Sequence, residues 1–360
     1  MMGLIIWFSL IIGIPFGTCV GSYDRSLLSV PKQKTLFVFG DSLFDPGNNN
    51  YINTTTEFQA NWSPYGESFF NPPTGRFCDG RLILDFIAEY AELALVPSYF
   101  EIGKDNFVHG VNFASGGAGC LDETFRGFVI DLKTQLKYFK KVTKDLKKKF
   151  GRKKSKQLLS NAVYVFSAGN NDYFNFNATY PKHEYANMVI GNLTSVIKGI
   201  YKEGGRKFVV LSLGPLGCTP GSRALKNGNC IQQLTTLAKI HNSALAKMLK
   251  QLEQQLLGFK YSLFDFFKVA SERINNPSKY GFKTSKSACC GTGPFRGTSS
   301  CGGKRQVKEY KLCKNVKDYL FFDSGHLTEM AYKQVAELLW NGTVDVIQPY
   351  NLKSFFHLPA

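Results

Sequence analysis

The sequence predicts an α/β protein whose parallel strands are joined by crossover helices. Short apolar runs alternate with longer segments of helical periodicity along most of the 360 residues, which is the pattern of βαβ units. The hydrophobic content of 44% is ample for a sizeable core, and neither an internal repeat nor a linker divides the chain. We therefore expect a single domain with insertions.

Five apolar runs are the predicted strands. They lie at residues 35–39, 108–114, 162–166, 208–212 and 261–264. Three of these strands end in turns of small or amide residues, at Ser42, Gly116 and Asn171. Because open α/β sheets hold their ligands at the carboxyl ends of strands, we expect these turns to border one site.

Helical periodicity fills much of the chain between the predicted strands. The predicted helices span residues 81–93, 132–150, 183–201, 231–257 and 328–340. A segment rich in Asn, Thr, Pro and Gly at residues 47–80 is too long for a simple connection, so it is expected to border the site as well.

The amino terminus has the features of a secretory signal. Residues 4–14 carry no charge, and small residues follow, with a cleavage site expected between Cys19 and Gly21. The apolar run is short for a membrane span, which makes an anchor the weaker alternative. We predict a signal peptide at residues 1–21, a single domain at residues 32–355, and a secreted protein.

The cysteines fit an oxidising compartment. Loss of Cys19 with the signal would leave eight of the nine cysteines, an even set that allows 105 pairings. Secretion and the lack of nearby histidines disfavour a zinc site in the cysteine-rich segment. The expected pairing joins Cys218 to Cys230, joins Cys289 and Cys290 to Cys301 and Cys313, and leaves Cys78 with Cys120.

Asn-X-Ser/Thr sequences predict a glycoprotein. Five occur, and in one of them Pro64 follows the Asn61 site, which makes it doubtful. The four predicted glycosylation sites are Asn53, Asn177, Asn192 and Asn341.

A basic segment carries most of the formal net charge of +17. Residues 133–156 contain twelve Lys or Arg against the single acid Asp145. A solvated helix face is the favoured interpretation, and attraction to acidic cell-wall sugars or anionic lipid surfaces is the alternative. Nucleic acid is a poorer partner, because no recognition motif accompanies the charge. The apolar positions recur at helical spacing: Leu132, Leu136, Phe139, Val142, Leu146 and Phe150.

Ser42 is the candidate nucleophile, since Gly40-Asp41-Ser42 follows the first predicted strand, although the same residues also suit an ordinary turn. Of the five histidines, His326 differs because Asp323 precedes it by three residues, where a carboxylate can hold the imidazole in one tautomer. A nucleophile beside backbone N–H groups and a carboxamide has the composition of an oxyanion site.

These blocks resemble the plant GDSL esterase/lipase family of the SGNH hydrolase superfamily, over almost the whole mature chain. The four blocks lie in order at residues 40–50, 110–119, 169–172 and 323–326. The resemblance is closest to secreted pathogen-responsive GDSL lipases and related nectar proteins. It implies a three-layer α/β/α sandwich with a flavodoxin-like five-stranded parallel sheet.

The resemblance also implies roles for residues. Ser42 would be the nucleophile, His326 the base and Asp323 its orienter. The oxyanion hole would use the Ser42 and Gly116 N–H groups and the Asn171 side chain, with Gly117 as the alternative to Gly116. No cofactor or metal is expected. The expected partner is an ester substrate, with lipid narrowly ahead of acetylated wall polysaccharide, and the protein is expected to be a monomer of the apoplast or cell wall.

Leu327 departs from the family pattern, which has proline after the histidine. Because proline presets the backbone at a helix start, leucine is expected to leave the His326 turn less rigid. A weakly active defence or binding protein on a hydrolase fold is the alternative that Leu327 favours. Aromatic residues of predicted loops would line an acyl cleft or form a satellite core: Phe69, Phe70, Phe174, Phe176 and Phe295.

Overall fold

The computed structural model describes residues 34–101, 107–176 and 178–359. The predicted signal peptide and the predicted glycosylation site Asn177 lie outside these residues. The strands are β1 Leu36–Gly40, β2 Gly110–Asn112, β3 Val163–Ser167, β4 Lys207–Leu211, β5 Lys260–Phe264, β6 Thr284–Ala288, β7 Cys290–Gly291, β8 Lys311–Leu312, β9 Tyr319–Phe321 and β10 Ile347–Gln348. The helices are α1 Ile83–Tyr90, α2 Leu132–Asn161, α3 Asn170–Phe174, α4 Lys182–Glu203, α5 Pro220–Ala224, α6 Gln232–Gln255, α7 Phe266–Asn275, α8 Glu329–Asn341 and α9 Leu352–His357.

The central sheet has the strand order β2-β1-β3-β4-β5, with β10 added beside β5. The first five strands pair in parallel, and β10 pairs antiparallel with β5. In this order β2, β1 and β3 are neighbours, so the turns that follow them lie next to one another at the carboxyl ends of the strands. The predicted five-stranded parallel sheet is confirmed, and β10 is an additional edge strand that the sequence analysis did not anticipate.

Both faces of the sheet are buried, which is why its strands are almost continuously apolar. On one face Phe37 and Phe39 pack against Phe139 of α2, and α4 and α6 extend this layer. On the other face Leu36 and Val38 share a core with α1, α7, α8 and α9. The three-layer α/β/α arrangement is confirmed.

The basic segment forms an amphipathic helix, as predicted, but α2 continues beyond residue 150 to Asn161. Gly151 interrupts it with a φ of 76°, a conformation that glycine adopts without strain. Its apolar positions are buried from Leu132 to Leu146, while most of its Lys and Arg residues are exposed. Two of the lysines form surface ion pairs, Lys133 with Asp122 and Lys147 with Glu203.

Helix α7 is absent from the sequence prediction. It begins directly after β5, and the Asp265 carboxylate caps it by accepting the Lys268 N–H at 3.0 Å. In the part of the chain that the structure describes, no helix is long and apolar enough to cross a membrane.

The disulfides agree with the expected pairing except for one pair. Bonds join Cys218 to Cys230, Cys289 to Cys313 and Cys290 to Cys301. The predicted Cys78–Cys120 pair is wrong, because both are free thiols in separate buried surroundings. Cys78 lies in the core beside α1, where the Gly80 N–H approaches its sulfur at 3.3 Å, whereas the Cys120 N–H donates to Asp172.

Candidate active site

Ser42, His326 and Asp323 form one continuous hydrogen-bonded array. His326 Nε2 lies 2.8 Å from Ser42 Oγ, and His326 Nδ1 lies 2.8 Å from Asp323 Oδ1. The structure therefore brings together the three residues that were predicted as nucleophile, base and orienter. In this arrangement the imidazole can accept the serine proton at Nε2 while Nδ1–H donates to the carboxylate.

The position of Ser42 follows from the end of β1. Gly40 has a φ of 139°, and a Cβ there would collide with the Ser167 carbonyl oxygen of β3. Glycine is therefore required where β1 turns. The Asp41 N–H donates to the same carbonyl at 3.0 Å, and the Leu43 N–H donates to Asp41 Oδ1 at 3.1 Å. These contacts hold the Ser42 turn against β3.

Asp41, which precedes Ser42 in the chain, is buried. Burial raises the pKa of its carboxyl group to about 6, although hydrogen bonds from the Asn170 amide and the Leu43 N–H act in the opposite direction. The Asn170 contact is 2.7 Å long and ties the end of β1 to the start of α3. Asp41 thus links the Ser42 turn to the turn that carries Asn171.

Asp323 holds its own turn as well as the imidazole. Its Oδ1 accepts the N–H groups of Gly325 at 3.0 Å and His326 at 2.8 Å. The Phe322 N–H closes the turn by donating to the His326 carbonyl at 2.8 Å. Leu327 is buried, bridges to Phe321, and precedes Thr328, the cap of α8. Hydrogen bonds therefore hold this turn, and the effect of Leu327 on its rigidity stays a prediction.

Two residues that the sequence analysis missed lie behind Asp323. The buried Tyr65 hydroxyl donates to Asp323 Oδ2 at 2.8 Å, and Arg305 Nη1 donates to the Tyr65 oxygen at 2.9 Å. Burial and the nearby Asp323 charge raise the pKa of Tyr65 well above its ordinary value, so it remains a donor. No sequence spacing indicates Tyr65, whereas Arg305 stands between Cys301 and Cys313, which belong to two different disulfides.

The charge state of Asp323 reflects a balance. Burial alone would raise its pKa, but the adjacent His326 imidazole and its hydrogen bond, with Arg305 beyond, hold that pKa well below its ordinary value. The carboxylate is therefore ionised at neutral pH, as stabilisation of an imidazolium requires.

The predicted oxyanion donors differ in their availability. The Asn171 amide donates one N–H to the Ala118 carbonyl at 2.9 Å, which leaves its second N–H for another acceptor. The Gly116 N–H instead donates to the buried Asp45 carboxylate at 2.7 Å. Because a backbone N–H offers one proton, Gly116 is committed to Asp45 in this structure. Gly117, the alternative donor, is the next residue in the same turn.

A cavity of about 170 Å³ opens beside Ser42 and His326. Its wall is mostly apolar and comes from the β1 turn, α3, the segment after β4, α7, β9, the His326 turn and α8. Of the five loop aromatics considered from sequence, Phe174 lines it, while the rings of Phe69 and Phe70 meet edge to face. Apolar residues of the wall include Leu43, Phe266, Ala270, Ile274, Leu327 and Val335.

The sequence profile of the GDSL-like Lipase/Acylhydrolase family matches residues 36–339. The chain belongs to this family. A GDSL lipase of Tanacetum cinerariifolium is 52% identical over 336 residues, which cover 93% of this chain and 91% of that protein. GDSL esterase/lipase 2 of Arabidopsis thaliana is 50% identical over 370 residues, or 99% of this chain and 98% of that protein. GDSL esterase/lipase 1 of the same plant is 49% identical, with coverage of 98% and 96%.

Membership of the GDSL family, at this identity over nearly the full length, makes the chain a carboxylic ester hydrolase. The predicted glycosylation sites within the described residues lie outside the array of Ser42, His326 and Asp323. Asn53 and Asn341 are exposed, and Asn192 is half-buried within α4.

Proposed function

We propose that this GDSL hydrolase is a secreted serine esterase that cleaves lipid acyl esters through an acyl-serine intermediate. The observation that carries the proposal is the hydrogen-bonded array of Asp323, His326 and Ser42 at the mouth of an apolar cavity. The array supplies a base and an orienter to the hydroxyl, and the cavity offers a place for an acyl chain.

In the first stage Ser42 Oγ attacks the ester carbonyl carbon and its proton passes to His326 Nε2. The tetrahedral intermediate then expels the alcohol, which takes that proton, and an acyl-enzyme remains. In the second stage water loses a proton to His326 and attacks the acyl carbon, and Ser42 leaves with the proton. Asp323 stabilises the imidazolium in both stages without accepting the proton.

The developing oxyanion would be met by the Ser42 N–H, the free N–H of the Asn171 amide and a backbone N–H of the turn after β2. Gly117 takes the place of Gly116 in this proposal, because the Gly116 N–H is bound to Asp45. The Asn171 contact with Ala118 ties the amide to that turn.

Lipid esters are favoured over acetylated polysaccharide by the cavity. An acetyl group would leave its apolar wall largely unfilled, whereas a longer acyl chain would bury against Leu43, Phe266 and Leu327. Burial of each CH₂ contributes about 0.8 kcal/mol to binding.

We further propose a monomeric glycoprotein of the apoplast or cell wall that needs no cofactor and does not bind nucleic acid. The signal-like residues 1–21, the Asn-X-Ser/Thr sequences and the disulfides support export. The exposed lysines of α2 support an electrostatic contact with acidic wall sugars or anionic lipid surfaces, which salt would weaken.

Labelling with a fluorophosphonate tests the acyl-serine mechanism directly. Wild type should gain one adduct, which peptide mapping should place on Ser42, and Ser42→Ala should gain none. Absence of labelling in folded wild-type protein would instead support the alternative of a defence or binding protein on a hydrolase fold.

A further inference from the structure

The Asn49 side chain is a buried amide in the segment that follows Ser42, and only 2% of the residue is exposed. Its Nδ2 donates to the Gly116 carbonyl at 2.9 Å and to the Phe58 carbonyl at 2.7 Å. These two acceptors use both protons of the amide nitrogen, which leaves no donor for a substrate. Asn49 can therefore influence the reaction only through the groups that it holds.

The oxygen of the same amide is engaged as well. Asn49 Oδ1 accepts the Ser115 hydroxyl, and Ser115 Oγ in turn accepts the Ile130 N–H at 3.0 Å. A buried amide whose nitrogen and oxygen both have partners is held in one orientation. The contact from Asn49 to the turn after β2 is therefore a fixed one.

That contact reaches the peptide unit that joins Gly116 to Gly117, which is trans. In a trans peptide the C=O and the following N–H point in opposite directions, so a bond that fixes the Gly116 carbonyl also fixes the Gly117 N–H. This N–H has no acceptor among the residues that the structure describes. The next carbonyl, of Ala118, accepts the Asn171 amide at 2.9 Å, so the turn lies beside the other proposed oxyanion donor.

Asp45 holds the preceding peptide unit of the same turn. Its Oδ2 accepts the Gly116 N–H at 2.7 Å, while its Oδ1 accepts two N–H groups of its own loop. Asp45 and Asn49 both come from the segment after Ser42, so this segment binds Gly116 at its N–H and at its C=O. Of the N–H groups of Gly116 and Gly117, only the latter is left for an oxyanion.

We propose that Asn49 is a positioning residue, which directs the Gly117 N–H at the oxyanion of the tetrahedral intermediate by holding the Gly116 carbonyl. The inference rests on the proposed acyl-serine mechanism and deepens it by naming the group that orients one of its oxyanion donors. Donors that are already oriented stabilise the transition state because they need no reorganisation as charge develops. Without the Asn49 bond this peptide unit could rotate, which would weaken transition-state binding and leave ground-state binding little changed.

A trifluoromethyl ketone with a straight alkyl chain tests the proposal, because its adduct carries an oxyanion. Ser42 Oγ adds to the carbonyl carbon, the π electrons of the C=O bond move to its oxygen, and the serine proton passes to His326 Nε2. The corresponding trifluoromethyl alcohol can bind but cannot form this adduct. We expect Asn49→Leu to lower kcat and ketone affinity by the same factor, about 10- to 100-fold, with KM and alcohol affinity changed less than about twofold.

Asn50→Leu is the matched control, because the amide of this neighbouring residue donates to the Thr74 carbonyl at 2.7 Å instead. Its ratio of ketone affinity to alcohol affinity should equal the wild-type ratio. A purely structural role for Asn49 predicts a different result in Asn49→Leu. It would reduce the number of active molecules, which fluorophosphonate titration counts, and leave the affinity ratio of the remaining molecules unchanged.

The possible results separate the inference from the proposed function. A folded Asn49→Leu protein with the wild-type affinity ratio would overturn the inference alone. Ser115→Ala removes the hydroxyl that holds Asn49 Oδ1, so it should lower the ratio by a smaller factor. Should Asn49→Leu fail to fold, an unchanged ratio in Ser115→Ala would overturn the inference equally. Folded wild type that cleaves no p-nitrophenyl ester and binds the ketone no more tightly than the alcohol contradicts the proposed function and this inference together.

Discussion

The Tyr65 hydroxyl donates a 2.8 Å hydrogen bond to Asp323 Oδ2, on the carboxylate that also contacts the imidazole of His326. Tyr65 in turn accepts from Arg305, whose Nη1 and Nη2 also bind the carbonyl oxygens of Cys301 and Gln59. The disulfide-bonded segment is thereby connected through Tyr65 to Asp323, the proposed orienter of His326.

Tyr65→Phe should reduce kcat about tenfold, because the Asp323 carboxylate loses a hydrogen bond that holds its orientation toward His326, while the ring remains packed. The released carboxylate should attract the imidazolium more strongly, so the acid limb of the kcat/KM profile should move to higher pH. Ester hydrolysis across a pH series measures both effects. Tyr51→Phe, at an exposed tyrosine, is the control. A slower variant with an unmoved profile would indicate a packing role only.

Arg305→Met should affect activity through Tyr65. We therefore expect the double variant with Tyr65→Phe to lose less than the two single losses combined, since both changes interrupt the same contact to Asp323. The rates of wild type, the two single variants and the double variant together form a double-mutant cycle. Strictly additive losses would show that Arg305 acts on the site by another route.

Asn171→Ala should lower turnover by about 10² to 10³, as removal of an oxyanion donor does elsewhere. The Michaelis constant should change little, because the lost contact forms mainly in the transition state. Asn175→Ala, at an exposed position of the same segment, is the matched control. A loss confined to KM would argue that Asn171 binds substrate in the ground state.

His241 should make the fold sensitive to acid. It is fully buried, its Nδ1 lies 2.9 Å from the Tyr173 hydroxyl, and burial lowers its pKa to about 3. The unfolded chain takes up a proton below pH ~6.5 while the folded state does not, so stability falls as pH decreases. The loss from this residue should be about 2 kcal/mol at pH 5.

Chemical denaturation of wild type and His241→Gln at pH 7.5 and 5 measures this effect. The variant should show a smaller decrease in the free energy of unfolding between the two pH values. Titration of Asp41 and Asp45 also contributes to this decrease, but both proteins contain these residues, so their contributions cancel in the comparison. Replacement of the exposed His183 with Gln should leave the wild-type decrease unchanged. Equal pH dependence in wild type and His241→Gln would mean that His241 is protonated in the fold.

The sequence predicted the features that local pattern determines. Both faces of the sheet are buried, so each strand appears as an apolar run, and the residues that follow β1 and β3 place Ser42 and Asn171 at one edge. Asp323 and His326 lie in one turn, which allowed their pairing to be inferred from spacing. Helix α7 was missed, although Asp265 is a residue type that commonly caps helices.

Features that depend on distant contacts could not be predicted. Tyr65 and Asp323 are 258 residues apart, and Arg305 and Tyr65 are 240 apart, so no periodicity connects them. An even number of cysteines suggested a Cys78–Cys120 bond, but an even count does not show which thiols lie close together in the fold. The Gly116 N–H was likewise expected to be free for an oxyanion. Its hydrogen bond to Asp45 could not be predicted, because that bond forms only in the folded turn.

Hydrolysis of a short-chain and a long-chain p-nitrophenyl ester by the purified protein tests the central claim most directly, with Ser42→Ala and His326→Ala measured alongside. Turnover by wild type, with both variants at background and still folded, is the predicted result, and faster cleavage of the long-chain ester should accompany it. Equal rates for all three folded proteins would contradict the assignment of Ser42 and His326 as the catalytic pair.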